Sequence, residues 1–136
     1  MFTEAQLAQF TGSERLHQHP LCANVAYSDG AAFVTRNGGA WLVDKIACLL
    51  QLHKGLKAAL AANPAMTGLH FWYLKLDGTK AMLNCAADDG VPPIYSEEIA
   101  FTDCPFDVTL YVAKSAWINP NEQQVSGWHI FLPSEY

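Results

Sequence analysis

From Ala40 to Ala61 the side chains Leu42, Ile46, Leu49, His53, Leu56 and Leu60 recur at steps of three and four, the spacing that lines one side of an α-helix. Gly55 interrupts the stretch and costs about 1 kcal/mol relative to alanine, so the segment reads as one bent helix or two short ones. Upstream the pattern is more broken. Thr3 and Gln6 have the spacing of a capping box and predict a short helix carrying Leu7 and Phe10, stopped at Thr11-Gly12-Ser13. No period is visible from Glu14 to Asn24, which reads as a surface loop around Pro20. Asn24 to Tyr27 reads as a brief extended piece. Ser28 or Asp29 then caps a second short helix through Phe33 and Val34, which Gly38-Gly39 ends.

After Asn63-Pro64 the period shortens to two. His70–Leu76 and Lys80–Ala86 flank Asp77-Gly78, a hairpin signal. With a two-residue loop at Asp77-Gly78, Leu74 faces Ala81, Trp72 faces Leu83 and His70 faces Cys85, while Phe71, Tyr73 and Met82 take the other side. Asp88-Asp89-Gly90 and Pro92-Pro93 form the next connection. Tyr95, Ile99 and Phe101 alternate along a third strand, and Val108, Leu110 and Val112 along a fourth. A polar loop from Asn119 to Ser126 leads to Trp128, Ile130 and Leu132 in the last, which Pro133 ends. The expected fold is α+β: a single domain over 1–136, with N-terminal helices packed on one face of an antiparallel sheet of about five strands.

Composition narrows the function classes. The 136 residues, 51% apolar, suffice for one core. A formal charge of -5, without any run of Lys and Arg, argues against direct nucleic-acid binding. Neither a secretory leader nor an apolar run of membrane-spanning length is apparent, so a cytoplasmic protein with no membrane partner is expected. Cys22, Cys48, Cys85 and Cys104 lie far apart with no C-x-x-C pair and read as free, buried thiols.

Three groups of residues carry candidate chemistry. His17, His19 and Cys22 have metal-ligating types at close spacing, but a fourth ligand is missing, so no metal or other cofactor is expected. His70 and Cys85, facing each other across the hairpin, have the types of a thiol nucleophile and its base; packing beneath the helices would leave both inert. Asp29, Asp44, Asp103 and Glu135 could pair for acid and base work. Three of them also have a structural reading: Asp29 as a helix cap, Asp44 in the first turn of the central helix, Asp103 bonded to the turn before Pro105. Trp41 reads as core. The side of the sheet turned from the helices would carry Phe71, Tyr73, Met82, Tyr111, His129 and Phe131 beside Thr109. That is an aromatic patch of the kind found at interfaces, unless a loop or the N-terminal segment covers it.

Several short motifs follow one another along the chain: Gln9-Phe10-Thr11-Gly12-Ser13, His19-Pro20-Leu21, Tyr27-Ser28-Asp29-Gly30, Ala40-Trp41-Leu42-Val43-Asp44, Phe101-Thr102-Asp103-Cys104-Pro105 and Leu132-Pro133-Ser134-Glu135-Tyr136. In these the chain resembles a family of small bacterial proteins of unknown function, often encoded on plasmids and other mobile elements. His17, Cys104 and the long loop at Asn119 to Ser126 depart from its pattern. The resemblance singles out His19, Tyr27, Asp29, Trp41, Asp44, Asp103, Glu135 and Tyr136, and it implies one compact domain but no reaction. The expected function is a non-catalytic protein-interaction module with a protein partner or a second copy as its ligand. The resemblance extends this to a mobile-element accessory protein, such as an inhibitor of a host defence complex in the manner of an anti-CRISPR protein. The alternative is a small hydrolase or transferase using the motif carboxylates or the His70 and Cys85 pair.

Overall fold

Thr3 and Gln6 do form a reciprocal cap: the Gln6 amide donates to Thr3 Oγ1 at 3.2 Å and the Thr3 amide to Gln6 Oε1 at 2.9 Å, which starts helix α1 (Glu4–Ala8). The computed structural model describes residues 2–12, 16–88, 90–104 and 106–136. Expectations that fall on Ser13, Glu14, Asp89 and Pro105 lie outside the described residues. Where the sequence reads as a loop there is a short strand, β1 (His17–Gln18), followed by β2 (Val25–Tyr27). Ser28 Oγ accepts the Ala31 amide at 3.1 Å and caps α2 (Asp29–Val34). The wide turn Thr35–Gly39 then redirects the chain, with Gly38 at φ 97°, a conformation open to glycine.

The long apolar segment is two helices, α3 (Ala40–Leu52) and α4 (Lys54–Ala61), separated at His53 rather than at Gly55. His53 has extended backbone, and its Nδ1 accepts the Leu56 amide at 3.0 Å, so the imidazole caps α4. The break resets the helical phase. The buried side of α3 is Leu42, Val43, Ile46, Ala47 and Leu50, and that of α4 is Leu56 and Leu60. Leu49 is only half-buried and His53 is exposed, which corrects their placement in the buried stripe. Helix α5 (Ala65–Gly68) closes the helical half.

The remaining strands are β3 (His70–Asp77), β4 (Lys80–Ala86), β5 (Tyr95–Ile99), β6 (Val108–Ile118) and β7 (Gln124–Phe131). The sheet has seven strands in the order β1-β2-β7-β6-β3-β4-β5, where about five were expected. It is also mixed rather than antiparallel throughout, because β2 runs parallel to β7. The two extra strands are two and three residues long. Neither shows a period; β2 lies in the piece read as extended, but its partner β7 is at the far end of the chain, and β1 pairs with β2. Phe101 falls outside β5 and is 72% exposed, so it does not continue that strand. The segment expected as a polar loop is a hairpin turn, with Ile118 paired to Gln124.

The β3–β4 turn is Gly78-Thr79, flanked by the Asp77–Lys80 pair. Trp72 therefore faces Cys85 and Leu74 faces Leu83, two positions from the expected register, and His70 does not face Cys85 at all. An even slip preserves which side each residue takes, since side chains alternate with a period of two. Trp72, Leu74, Ala81, Leu83, Cys85, Val108, Leu110, Val112 and Ile130 are all buried and share one hydrophobic core with the buried side chains of α2, α3 and α4, and His70 is buried against Trp72. Lys45 of α3 pairs with Glu97 of β5, to which Tyr95 Oη donates at 2.9 Å. Hydrogen bonding to the Lys45 ammonium holds the Glu97 carboxyl below its usual pKa.

Candidate functional site

Strand alternation sets Phe71, Tyr73, Tyr111, His129 and Phe131 on the face opposite the Trp72 and Leu110 side chains, with Met82 exposed beside Lys75. The register then brings the rings together. Phe71 and Tyr111 are directly paired, their centroids 4.6 Å apart; Tyr111 meets Phe131 edge-on at 5.8 Å, and His129 lies 5.0 Å from Phe131. The C-terminal residue completes the row. Tyr136 lies parallel to Phe131 at 6.3 Å and meets Tyr111 edge-on at 5.9 Å; Phe131 is only 7% exposed, whereas Tyr136 is 82% exposed. Among the described residues, neither the loop after Asn119 nor the N-terminal segment supplies these ring contacts. Phe131 is thus buried within the row rather than open on the face.

Beside the aromatic row the sheet face carries a hollow of about 570 Å³ lined by Phe71, Tyr73, Lys75, Tyr111, Asp88 and Asp107, within the range of ligand pockets. Asp107 Oδ1 accepts the Leu76 amide at 2.9 Å, which fixes one carboxylate at the rim. His129 lies further along the same face. Its Nε2 is buried without a hydrogen-bond partner among the described residues. Burial lowers the pKa of His129, against the opposing charge of Glu135, so the ring is held neutral.

The family-motif residues assemble elsewhere, and mostly in pairs. His19 is buried; its Nδ1 accepts the Leu21 and Cys22 amides at 3.1 and 3.0 Å. Two donors at Nδ1 place the proton on Nε2, which donates to Asp44 Oδ1 at 2.7 Å. Asp44 is 53% exposed and belongs to α3, so this bond staples the His19 turn to the central helix. His17 Nε2 donates to Asp29 Oδ1 at 2.8 Å. Tyr27 lies between the two imidazoles, parallel to His17 at 5.7 Å and edge-on to His19 at 6.3 Å. Trp41 is half-buried at the rim of a surface groove of about 480 Å³ with Asp44, Cys48, Leu49 and Leu52, so it is only partly core.

At the chain's end, Glu135 accepts from Ser28 Oγ at 2.5 Å, from the Gly30 amide at 3.1 Å and from the Leu132 amide at 2.9 Å. A Cβ at position 30 would stand 2.5 Å from Glu135 Oε1, so glycine is what lets the carboxylate reach that amide. Asp103 is exposed; the neighbouring turn is closed by Thr102, whose Oγ1 accepts the Cys104 amide at 3.1 Å.

These geometries bear on catalysis and metal binding. His70 Nδ1 donates to the Met66 carbonyl at 2.9 Å and its Nε2 accepts from Trp72 Nε1 at 3.0 Å, so neither nitrogen is left for a thiol. Burial pushes His70 down to about 4 and Cys85 up to about 12. The expected His70–Cys85 pair is two separate core residues. The His19 ring is likewise fully engaged, which leaves no nitrogen there for a metal or a nucleophile. Among the described residues no cluster of three or more His, Cys, Asp or Glu side chains is placed to hold a metal ion. No described helix is long and apolar enough to cross a membrane.

The juxtaposition the sequence does not announce is that of Cys22 and Cys48, whose sulfurs are 3.8 Å apart. Only their placement on a turn and a helix joined by His19 and Asp44 brings them together. Over residues 1–136 the chain matches the model of a family of unknown function, DUF6876. No curated protein and no solved structure matches it.

Proposed function

Because the chain belongs to a family of unknown function, we propose from its geometry that it is a non-catalytic protein-interaction module that captures a basic segment of a partner protein on the open sheet face. The observation that carries this reading is the hollow bounded by Phe71, Tyr73 and Tyr111 with Asp88 and Asp107 at its rim. An arginine side chain suits it. A guanidinium stacks on aromatic faces and pairs with carboxylates through a planar fork, whereas the compact ammonium of lysine does so less well. The whole chain carries a formal charge of -5, so encounter with a basic partner is favoured. In the mobile-element role that the family resemblance implies, the partner is a component of a host defence complex and the module blocks it. The proposed location is the cytoplasm.

The experiment is an NMR titration of the full chain with N-acetyl-arginine amide, with the neutral citrulline analogue alongside. Saturable shifts at Phe71, Tyr73 and Tyr111, absent with citrulline and reduced by salt or by Asp107→Asn, are the expected result. Asparagine still offers an oxygen to the Leu76 amide, so that variant isolates the charge. Equal shifts with citrulline, or shifts elsewhere only, would overturn the proposal. A concentration-dependent dimer that Tyr111→Glu dissociates in sedimentation would identify a second copy as the occupant instead.

A further inference from the structure

Cys22 and Cys48 are separated by 26 positions and touch through their sulfurs at 3.8 Å, both as free thiols. Their approach is held by bonds outside the thiols. The Cys22 amide donates to His19 Nδ1, the opposite nitrogen of that ring donates to Asp44, and Asp44 stands four residues before Cys48 on α3. The two thiols differ in access. Cys22 is enclosed, whereas Cys48 is half-buried and lines the surface groove with Trp41, Leu49 and Leu52.

We propose that Cys22 and Cys48 form a reversible intramolecular disulfide, with Cys48 as the thiol that meets a peroxide oxidant and Cys22 as the thiol that resolves it. In the first step the Cys48 thiolate attacks one oxygen of hydrogen peroxide and the O–O bond breaks. Cys48 becomes a sulfenic acid, and the departing hydroxide takes up the thiol proton as water. In the second step Cys22 sulfur attacks the sulfenic sulfur, the S–O bond breaks, and the hydroxide leaves as a second water with the Cys22 proton. Two thiols are oxidised and one peroxide is reduced. Cys22 is enclosed and so meets a peroxide less readily than Cys48, and burial with the neighbouring Cys48 pushes its thiol up to about 11. Contact between the sulfurs offsets its low thiolate fraction.

The other two thiols lack a comparable neighbour. Cys85 is enclosed in the core, and Cys104 Sγ donates to the Phe106 carbonyl at 3.2 Å. The disulfide would clamp the His19 turn to α3, away from the aromatic sheet face, so it stands independently of the interaction proposed above. Transient, redox-sensing disulfides are the usual kind in reducing compartments.

The test treats reduced, full-length protein with hydrogen peroxide at neutral pH, alkylates it under denaturing conditions and maps tryptic peptides without reduction. The expected product joins peptide 16–36, which holds Cys22, to peptide 46–54, which holds Cys48, with loss of two hydrogens. Dithiothreitol reverses it, the circular dichroism spectrum is unchanged, and peptide 81–114 carries alkylated Cys85 and Cys104. In Cys22→Ser, dimedone traps a sulfenic acid at Cys48; in Cys48→Ser, Cys22 stays reduced. Scrambled pairings, sulfinic acid at Cys48 with no cross-link, or four thiols still alkylated after peroxide would each overturn the proposal. The wild-type map decides the matter even if a serine variant fails to fold.

Discussion

Glu135, one residue from the chain's end, accepts a hydrogen bond from the amide of Gly30, 105 positions earlier, at the first turn of α2. The same carboxylate holds Ser28, the cap of that helix. The motifs around residues 28–30 and 132–136 are therefore two halves of one latch. Its anchor is a carboxylate facing free amides and the positive end of a short helix. Glu135→Ala should lower unfolding free energy by about 2 to 4 kcal/mol, since bonds to a charged group contribute about 1.5 to 3 kcal/mol. Urea denaturation measures it. A loss below about 1 kcal/mol would show that the latch is dispensable.

The phase of α3 gives a paired prediction. Leu50 is buried and Leu49 only half-buried. Leu50→Ala should destabilise by about 2 to 5 kcal/mol, the cost of a buried cavity, and Leu49→Ala by about 1 kcal/mol or less. The reverse order in denaturant midpoints would place the helix a third of a turn from the observed phase.

His70 makes stability depend on pH. Its folded pKa, lowered to about 4 from 6.5 by burial, means that the unfolded chain binds the proton more readily. The stabilisation is complete above about pH 6.5 and is lost as pH falls toward 4. The slope from this group approaches about 1.4 kcal/mol per pH unit within that window. His129, lowered in the same direction, adds to it. His70→Gln should flatten the fall in unfolding free energy between pH 6.5 and 5, and an unchanged slope would assign it to other groups.

Two aromatic substitutions on one sheet face should behave differently. Phe131 is packed beneath Tyr136 and beside His129, so Phe131→Glu should lose the native circular dichroism spectrum. Tyr111 is half-buried, and Tyr111→Glu should remain folded. Similar thermal melts for the two variants would contradict the different burial of the two rings.

Breaking the staple at His19 leaves two amides and a carboxylate without their partner. His19→Ala should cost about 2 to 4 kcal/mol. Chelator should change neither the wild type nor the variant, and a chelator-sensitive loss in calorimetry would instead make His19 a ligand.

Local physics was legible along the chain. The Thr3 and Gln6 cap, the helix starting at Ser28 and the alternation of β3, β4, β6 and β7 depend on neighbours within a few residues, and their spacing carries that information. Even the mistaken turn position left the sheet faces correctly sorted, because a slip of two residues preserves alternation. Tertiary contacts decided the rest. His53 broke the long helix because its imidazole could cap the next one, and β2 joined the sheet because a distant β7 offered its edge, which gave β1 a strand to pair with in turn. The pairings His19 with Asp44, Gly30 with Glu135 and Cys22 with Cys48 join segments from 26 or fewer to more than 100 positions apart. Periodicity says which side of an element a residue takes, but not which element it will meet there. That choice falls to the packing of the whole core, and it turned candidate acids and ligands into latches while setting two thiols side by side.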